Sequence, residues 1–213
     1  MPSQSSRKGL FIVLEGIDGS GTTTQAKLLA DWLQRQGRPG VFTCEPSHGP
    51  VGGLIRDSIK PGAAVMDEAV FALLFAADRV DHLKREILPA IERGVDVVSD
   101  RYALSSLAYQ SVRLPVDWVY ELNRRAVPAD LTLLLDAPTQ VCLSRIRAAG
   151  RGGERYEQPD LLEEIRLNYL QIASTLKQQG QRLEVLDANV SIEELHERVT
   201  AAVSPVIQGN TVR

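Results

Sequence analysis

Crosslinks, membrane spans and a dominant charge are what this sequence lacks. Its two cysteines, Cys44 and Cys142, are too few for a disulfide framework and have no CxxC spacing, so they read as thiols of a reducing cytosol. The opening MPSQSSRKG is followed only by LFIVL, too short for the core of a signal peptide. No apolar run approaches the roughly 20 residues that a membrane helix needs. Lys and Arg number 24 against 27 Asp and Glu, a net charge of −3. That balance offers no general surface for polyanions, so nucleic acid is not an expected partner, and any phosphate site has to be a local concentration of positive groups. The expected location is the cytoplasm.

What is present suits a single α/β domain. At 213 residues with 44% hydrophobic content, the chain can bury a sizeable core without disulfides. Residues 1–8 and about 208–213 read as loose tails around one domain at 9–207. Within it, LFIVLE (10–15), VFTCE (41–45), VDVVSD (95–100), LTLLLD (131–136) and LEVLD (183–187) are short, nearly continuous apolar runs. That pattern suits parallel strands buried on both faces. Longer helix-like stretches separate them, and the alternation predicts an open parallel sheet of about five strands with helices on both faces. After the first run, Ala26, Leu29, Ala30 and Leu33 follow helical spacing and Gly37 is placed to end the helix.

The turn before that helix is GIDGSGTTTQ (16–25). Gly16 and Gly21 have the spacing of the phosphate-binding pattern G-x-x-x-x-G-K-[ST], and Thr23 occupies the position of the Mg²⁺-binding hydroxyl, with Thr24 beside it. The lysine position is Thr22. Backbone N–H groups around Gly16, Gly19, Ser20 and Gly21, with the positive end of the helix, can hold phosphate without a lysine. Transition-state charge then needs another cation.

A second motif, VSDRYALSSLAYQ (98–110), begins where a strand run ends, and the carboxyl ends of parallel strands are where such sheets place ligands. Asp100 is a candidate for Mg²⁺, directly or through water. Arg101 can fork onto a phosphate. Ser105, Ser106, Tyr109 and Gln110 follow at about one helical turn. Taken alone, an Asp-Arg pair is more often a structural salt bridge.

These segments carry a resemblance. VSDRYALSSLAYQ resembles the signature of the thymidylate kinase family throughout, and GIDGSGTTTQ resembles its first motif except at Thr22. LLFAADR (73–79) and the basic stretch RIRAAGRGGERYEQPD (145–160) are similar to two further segments, so the likeness runs from about residue 9 to about 200. The resemblance implies a P-loop kinase fold with a mobile lid, ATP as co-substrate, Mg²⁺ as cofactor, small nucleotides as partners and a homodimer. It implies that Phe75 stacks on thymine, that Arg79 donates to its carbonyl edge, and that Tyr109 excludes a 2′-hydroxyl while Ser106 contacts the base. Asp18 is expected near the acceptor phosphate, and Arg56 as a contact to it. Glu45 and Pro46 keep the family's Glu-Pro pair, which places Glu45 with Ser105 and Gln110 among the expected dTMP contacts, whereas Cys44 stands where an arginine is frequent.

The basic stretch offers a replacement for the lysine. Arg145, Arg147, Arg151 and Arg155 cluster in what reads as a flap, and Arg151 and Arg155 flank Gly152-Gly153. They are the preferred candidates for a cation closing over the transferring group, against the plain alternative of a solvated basic face. Asp136 and Asp187 also end apolar runs and imitate a metal-binding strand terminus. The expected activity is transfer of the ATP γ-phosphoryl group to dTMP, giving dTDP and ADP. Two alternatives stay open: a kinase for another deoxynucleoside monophosphate, and a nucleotide-binding protein impaired in catalysis by Thr22.

Overall fold

A computed structural model describes residues 8–64, 66–150 and 156–210. The five apolar runs form strands β1 (Phe11–Glu15), β2 (Gly40–Cys44), β3 (Asp96–Asp100), β4 (Leu131–Asp136) and β5 (Leu183–Asp187), each within a residue or so of its run. They make one sheet in the order β2-β3-β1-β4-β5, and every pairing is parallel. Parallel neighbours cannot be joined by tight turns, so the connections are helical. These are α1 (Thr22–Arg35), α2 (Pro50–Ile59), α3 (Glu68–His82), α4 (Leu88–Glu92), α5 (Ala103–Gln110), α6 (Val116–Leu122), α7 (Thr139–Ala148), α8 (Pro159–Gln178) and α9 (Ile192–Asn210), with a π-helical stretch at Leu83–Ile87 linking α3 to α4.

Alternation along β1 shows why the sheet is covered twice. Ile12 and Leu14 pack with Ala26, Leu29 and Leu33 of α1 and Val199 and Val203 of α9. Phe11 and Val13 turn to the other face and pack with Leu83, Ile87 and Ala90. Glu15 follows on that second face and is wholly buried. The chain leaves β1 toward one edge of the sheet and β3 toward the other, so the crevice between neighbouring strands β1 and β3 is a topological switch point. Both sequence motifs begin there.

Two boundaries differ from expectation. The basic stretch expected to start a flap at 145 begins inside α7, which carries Arg145 and Arg147 and ends at Ala148. Cys142 and Ile146 on its inner face are buried, so packing extends the helix through the arginines. The tail expected from 208 is helical to Asn210 at the end of α9, and Asn210 donates to the Lys8 carbonyl. Arg151 and Arg155 lie outside the described residues. No helix among the described residues is long and apolar enough to cross a membrane.

Candidate active site

The turn after β1 is shaped by close approach. A Cβ at Gly16 would stand 2.5 Å from Ser20 Oγ and 2.7 Å from the Leu135 carbonyl. Gly19 has a φ of 83° and lies so near the Cys142 carbonyl that no side chain fits. The loop so formed ends at the N-terminus of α1, where unpaired N–H groups point outward. From Asp18 to Gln25 it lines a cleft of about 640 Å³, whose other walls include Arg101, Arg145 of α7 and residues 190–192 after β5. Gly16 stays behind the surface, and its carbonyl accepts from Arg101 Nη1 at 2.8 Å.

Thr22 lines this cleft but is only 6% exposed. Thr23 is exposed, and its hydroxyl donates to Asp100 Oδ2. The other oxygen of that carboxylate, Oδ1, is buried and has no hydrogen-bond partner. An orphaned carboxylate oxygen next to an available hydroxyl, at the mouth of a phosphate-shaped loop, fits Mg²⁺, which takes one or two protein oxygens and completes its shell with water and phosphate. Among the described residues no group of three or more His, Cys, Asp or Glu could hold a metal by itself. The competing strand ends are engaged elsewhere. Asp136 receives both Nε and Nη2 of Arg166, at 2.6 and 2.9 Å, and Asp187 binds Arg198 and the Asn189 amide.

A second, narrower cleft of about 80 Å³ adjoins the first. Phe75, Ser105, Ser106, Tyr109 and Gln110 line it, together with Pro46, Ile59 and Tyr156. Asp18 and Arg101 line both clefts. Arg101 has a φ of 71°, unusual for a residue with a side chain. The turn is held by the Arg101 N–H, which donates to the Leu14 carbonyl at 2.8 Å, and by Ser99 Oγ, which donates to the Arg101 carbonyl at 2.8 Å. The guanidinium is thereby aimed back over the loop. Its Nη2 binds Asp18 Oδ1 at 2.8 Å, and it lies 5.2 Å from the centre of the Tyr109 ring. Tyr109 Oη donates to Asp18 Oδ2 at 3.0 Å, which closes a triangle of Asp18, Arg101 and Tyr109. Burial works against the Arg101 charge, but Tyr109, Asp18, Tyr169 and Asp100 more than offset it and hold its pKa well above the ordinary arginine value. Burial likewise pushes the Tyr109 hydroxyl well up, opposed by Arg101 and assisted by Asp18.

Several expected ligand-binding residues turn inward. Arg79 is 2% exposed and lines neither cleft. Its Nη2 pairs with Glu45 at 2.7 Å and donates to the Tyr102 carbonyl, while Nη1 bonds Asn123 and Ser106. A buried guanidinium must be paired, and Glu45, itself expected at the ligand, supplies the charge. Arg79 Nε has no partner. Arg56 lines neither cleft and donates to the carbonyls of Pro46 and Ser47, so it braces the loop after β2. The Ser105 hydroxyl faces Glu15 at 2.5 Å although the residue lines the narrow cleft.

Other participants were not among the expected site residues, although Asp78 lies inside LLFAADR. Glu15 accepts from Ser105 N and from Tyr169 Oη, each at 3.2 Å. Its carboxyl is pushed up from the usual range by burial, against the pull of the Ser105 hydroxyl and of the Arg101 and Arg79 charges. Asp78 takes both the amide and the hydroxyl of Ser47, at 2.7 and 2.6 Å, and so fixes the loop that follows Glu45-Pro46. Tyr169 could have been noticed as a hydroxyl on the buried stripe Leu162, Ile165, Tyr169, Ala173 and Leu176 of α8, where a buried phenol needs a partner.

With this geometry in view, comparison with known proteins is direct. The family model for thymidylate kinase matches residues 14–199. A probable thymidylate kinase of Pyrococcus abyssi is 44% identical over 208 residues, which cover 95% of this chain and 99% of that protein. The probable thymidylate kinases of Pyrococcus horikoshii and Thermococcus kodakarensis are 42% and 41% identical, over 95% and 93% of this chain and 99% and 98% of theirs.

Proposed function

Because the chain belongs to the thymidylate kinase family, we propose that it transfers the γ-phosphoryl group of Mg²⁺-bound ATP to dTMP, giving dTDP and ADP. One observation carries the reading: a wide cleft walled by the glycine loop and a narrow one walled by Phe75 and Tyr109 meet at Asp18 and Arg101, which line both. A group passing between two substrates must cross such a junction.

In this reading the wide cleft takes ATP. Loop amides from Gly19 to Thr24 hold its β- and γ-phosphates, and residues 190–192 border the rest of the nucleotide. Thr23 and Asp100 hold the metal, whose charge would neutralise phosphate oxygens when bound. The narrow cleft takes dTMP, with Phe75 against the base, Ser106 and Gln110 at its edge and Tyr109 at the sugar. Arg79 acts from beneath, with its Nη1 fixing Ser106 and its Nε without a partner. Arg101 turns its Nη2 edge from Asp18 onto phosphate, while Nη1 stays held at Gly16 O. The acceptor is already an oxyanion, so no general base is needed, and catalysis is alignment, charge neutralisation and exclusion of water. Arg145, on the wall of the wide cleft, joins Arg151 and Arg155 as a cation available to replace the missing lysine.

We also propose a homodimer. Val70, Leu73 and Ala77 are exposed at helical spacing on α3, and Leu54 of the adjacent α2 is 49% exposed, an apolar face suited to a second copy. Sedimentation of wild type and Leu73→Glu checks it: a dimer for the first and a monomer for the second is expected.

The reaction is tested by initial ADP formation from ATP and Mg²⁺ with dTMP, dUMP, dCMP, dGMP or no acceptor. Turnover that depends on dTMP and prefers it is expected. Equal turnover without acceptor would overturn the reading. Binding of both nucleotides without turnover would instead favour a binder impaired at Thr22.

A further inference from the structure

Behind Arg101 lies a polar cluster that joins Ser105 of the 98–110 motif to Glu15 and Tyr169, which belong to no motif. Glu15 is 0% exposed at the last position of β1, immediately before the loop. Three donors converge on it: Ser105 N, Ser105 Oγ and Tyr169 Oη. Ser105 Oγ and Tyr169 Oη are also 2.6 Å from each other. Each hydroxyl has one proton, and both protons are directed into the carboxylate or along the hydroxyl pair toward it. Their lone pairs are therefore left facing outward. What they face is Arg101 Nη1, at 3.3 Å from Ser105 and 3.2 Å from Tyr169.

From this arrangement we infer that Glu15 is a positioning residue for Arg101: it orients the Ser105 and Tyr169 hydroxyls as acceptors, so that they grip one edge of the guanidinium and leave the other edge free for phosphate. The inference rests on the reading of Arg101 as the phosphate-binding fork. Direction is the essence of it. A glutamine at 15 has nearly the same shape, but its amide donates where the carboxylate only accepted. The hydroxyls then turn their protons outward toward a cation that has only protons to offer. Arg101 loses two acceptors and the nearby buried negative charge that balances it. It retains Gly16 O and Asp18. Asp18 lies on the phosphate side, so Arg101 is drawn toward its carboxylate and away from the substrate.

The cluster also explains the placement of Tyr169. Its ring stands edge-on to Tyr109 at 6.0 Å, so one tyrosine of α8 supports the wall of the narrow cleft with its ring and Arg101 with its hydroxyl. Removing only the hydroxyl separates the two duties.

The test compares wild type, Glu15→Gln, Tyr169→Phe and Arg101→Met, and the double variant of the first and last. Affinity for dTMP is measured against affinity for thymidine, which lacks the phosphate, together with kcat and with the NMR signals of the Arg101 side chain. A misplaced catalytic group costs about a hundredfold in rate. Glu15→Gln is expected to lower kcat by about that factor and to erase most of the preference for dTMP over thymidine, with thymidine affinity unchanged. Its Arg101 signals should lose their protection from exchange, and Tyr169→Phe should move in the same direction by less. In the Arg101→Met background, Glu15→Gln should add little. Additive losses, or a Glu15→Gln protein that keeps the phosphate preference and the Arg101 signals, would overturn the inference. If Glu15→Gln does not fold, Tyr169→Phe with unaltered Arg101 signals and phosphate preference overturns it equally. The proposed reaction fails separately: a wild type inactive on dTMP whose Arg101 signals still respond to Glu15→Gln keeps the positioning role and loses the kinase.

Discussion

The two clefts are built from different materials. The wide one is walled on one side by a glycine loop and a helix start, where closely approaching glycines alternate with Asp18, Ser20 and three threonines. The narrow one is walled by side chains whose positions depend on one another: Arg101 on Asp18, Asp18 on Tyr109, and Ser106 on Arg79. Backbone amides are supplied by any sequence that can adopt the turn, so the first site can lose its lysine and remain an anion cradle. The second cannot lose a member without leaving a buried polar group unpaired, which costs about 1–3 kcal/mol. On the proposed function, tolerance of threonine at 22 and intolerance of change at Arg101 are expected to have one cause.

The contrast can be broken most sharply at the junction. Arg101→Met should lower dTMP-dependent turnover by about 10³, the low end of what a phosphate-stabilising arginine contributes, while a thermal melt shows the fold intact. Equal losses of ATP and dTMP affinity without a loss of kcat would mean that the two clefts do not meet there. Next in size, Tyr109→Phe removes the hydroxyl held by Asp18 and should raise the KM for dTMP about tenfold with the KM for ATP unchanged. A shift in the ATP constant instead would place Tyr109 on the wrong side of the comparison. Thr22→Lys should do the opposite, raising kcat by a few-fold at unchanged KM for dTMP, because it adds a charge to a cradle already formed. A fall in kcat would show that the buried Thr22 side chain is itself needed.

The smallest effect concerns the two thiols, both close to site residues. Cys44 ends β2 next to Asp100, and the Cys142 carbonyl abuts Gly19. Both are pushed up to about 11, each by burial first, with the Asp100 charge adding to the effect at Cys44. A raised thiol pKa favours the protonated form, so the reactive thiolate is scarce at neutral pH and grows only as pH rises toward 11. Alkylation followed by mass spectrometry at pH 7.5 should therefore leave both unmodified over the time in which a free thiol peptide reacts fully. Fast labelling of Cys44 alone would show that the loop after β2 opens.

Strands were readable because a parallel sheet buried on both faces turns each strand into an apolar run with little else in it. The loop and the α5 motif were readable because their chemistry is local, with glycines or polar residues within one turn of each other. Pairings across the fold were not. The family resemblance assigns Arg79 and Glu45 to the ligand one at a time, and only their 2.7 Å separation shows that they pair with each other. Glu15 and Tyr169 are 154 positions apart and become neighbours only when α8 settles on the sheet. Arg145 is basic and stands in a basic stretch, which suggested a flap, whereas the buried Cys142 and Ile146 show a helix packed on one side.

The left-handed backbone of Arg101 has a consequence for anyone who would make this protein sturdier. Holding a side-chain-bearing residue at φ 71° costs about 1–2 kcal/mol that a glycine would not incur. Automated redesign for heat resistance will favour glycine or asparagine at that position, and a screen that scores melting temperature alone will reward the choice. The winning variants would be more robust and would have lost the guanidinium at the meeting point of the two clefts. Position 101 is thus a place where durability and competence are opposing selections, and a library built on this scaffold should keep it fixed.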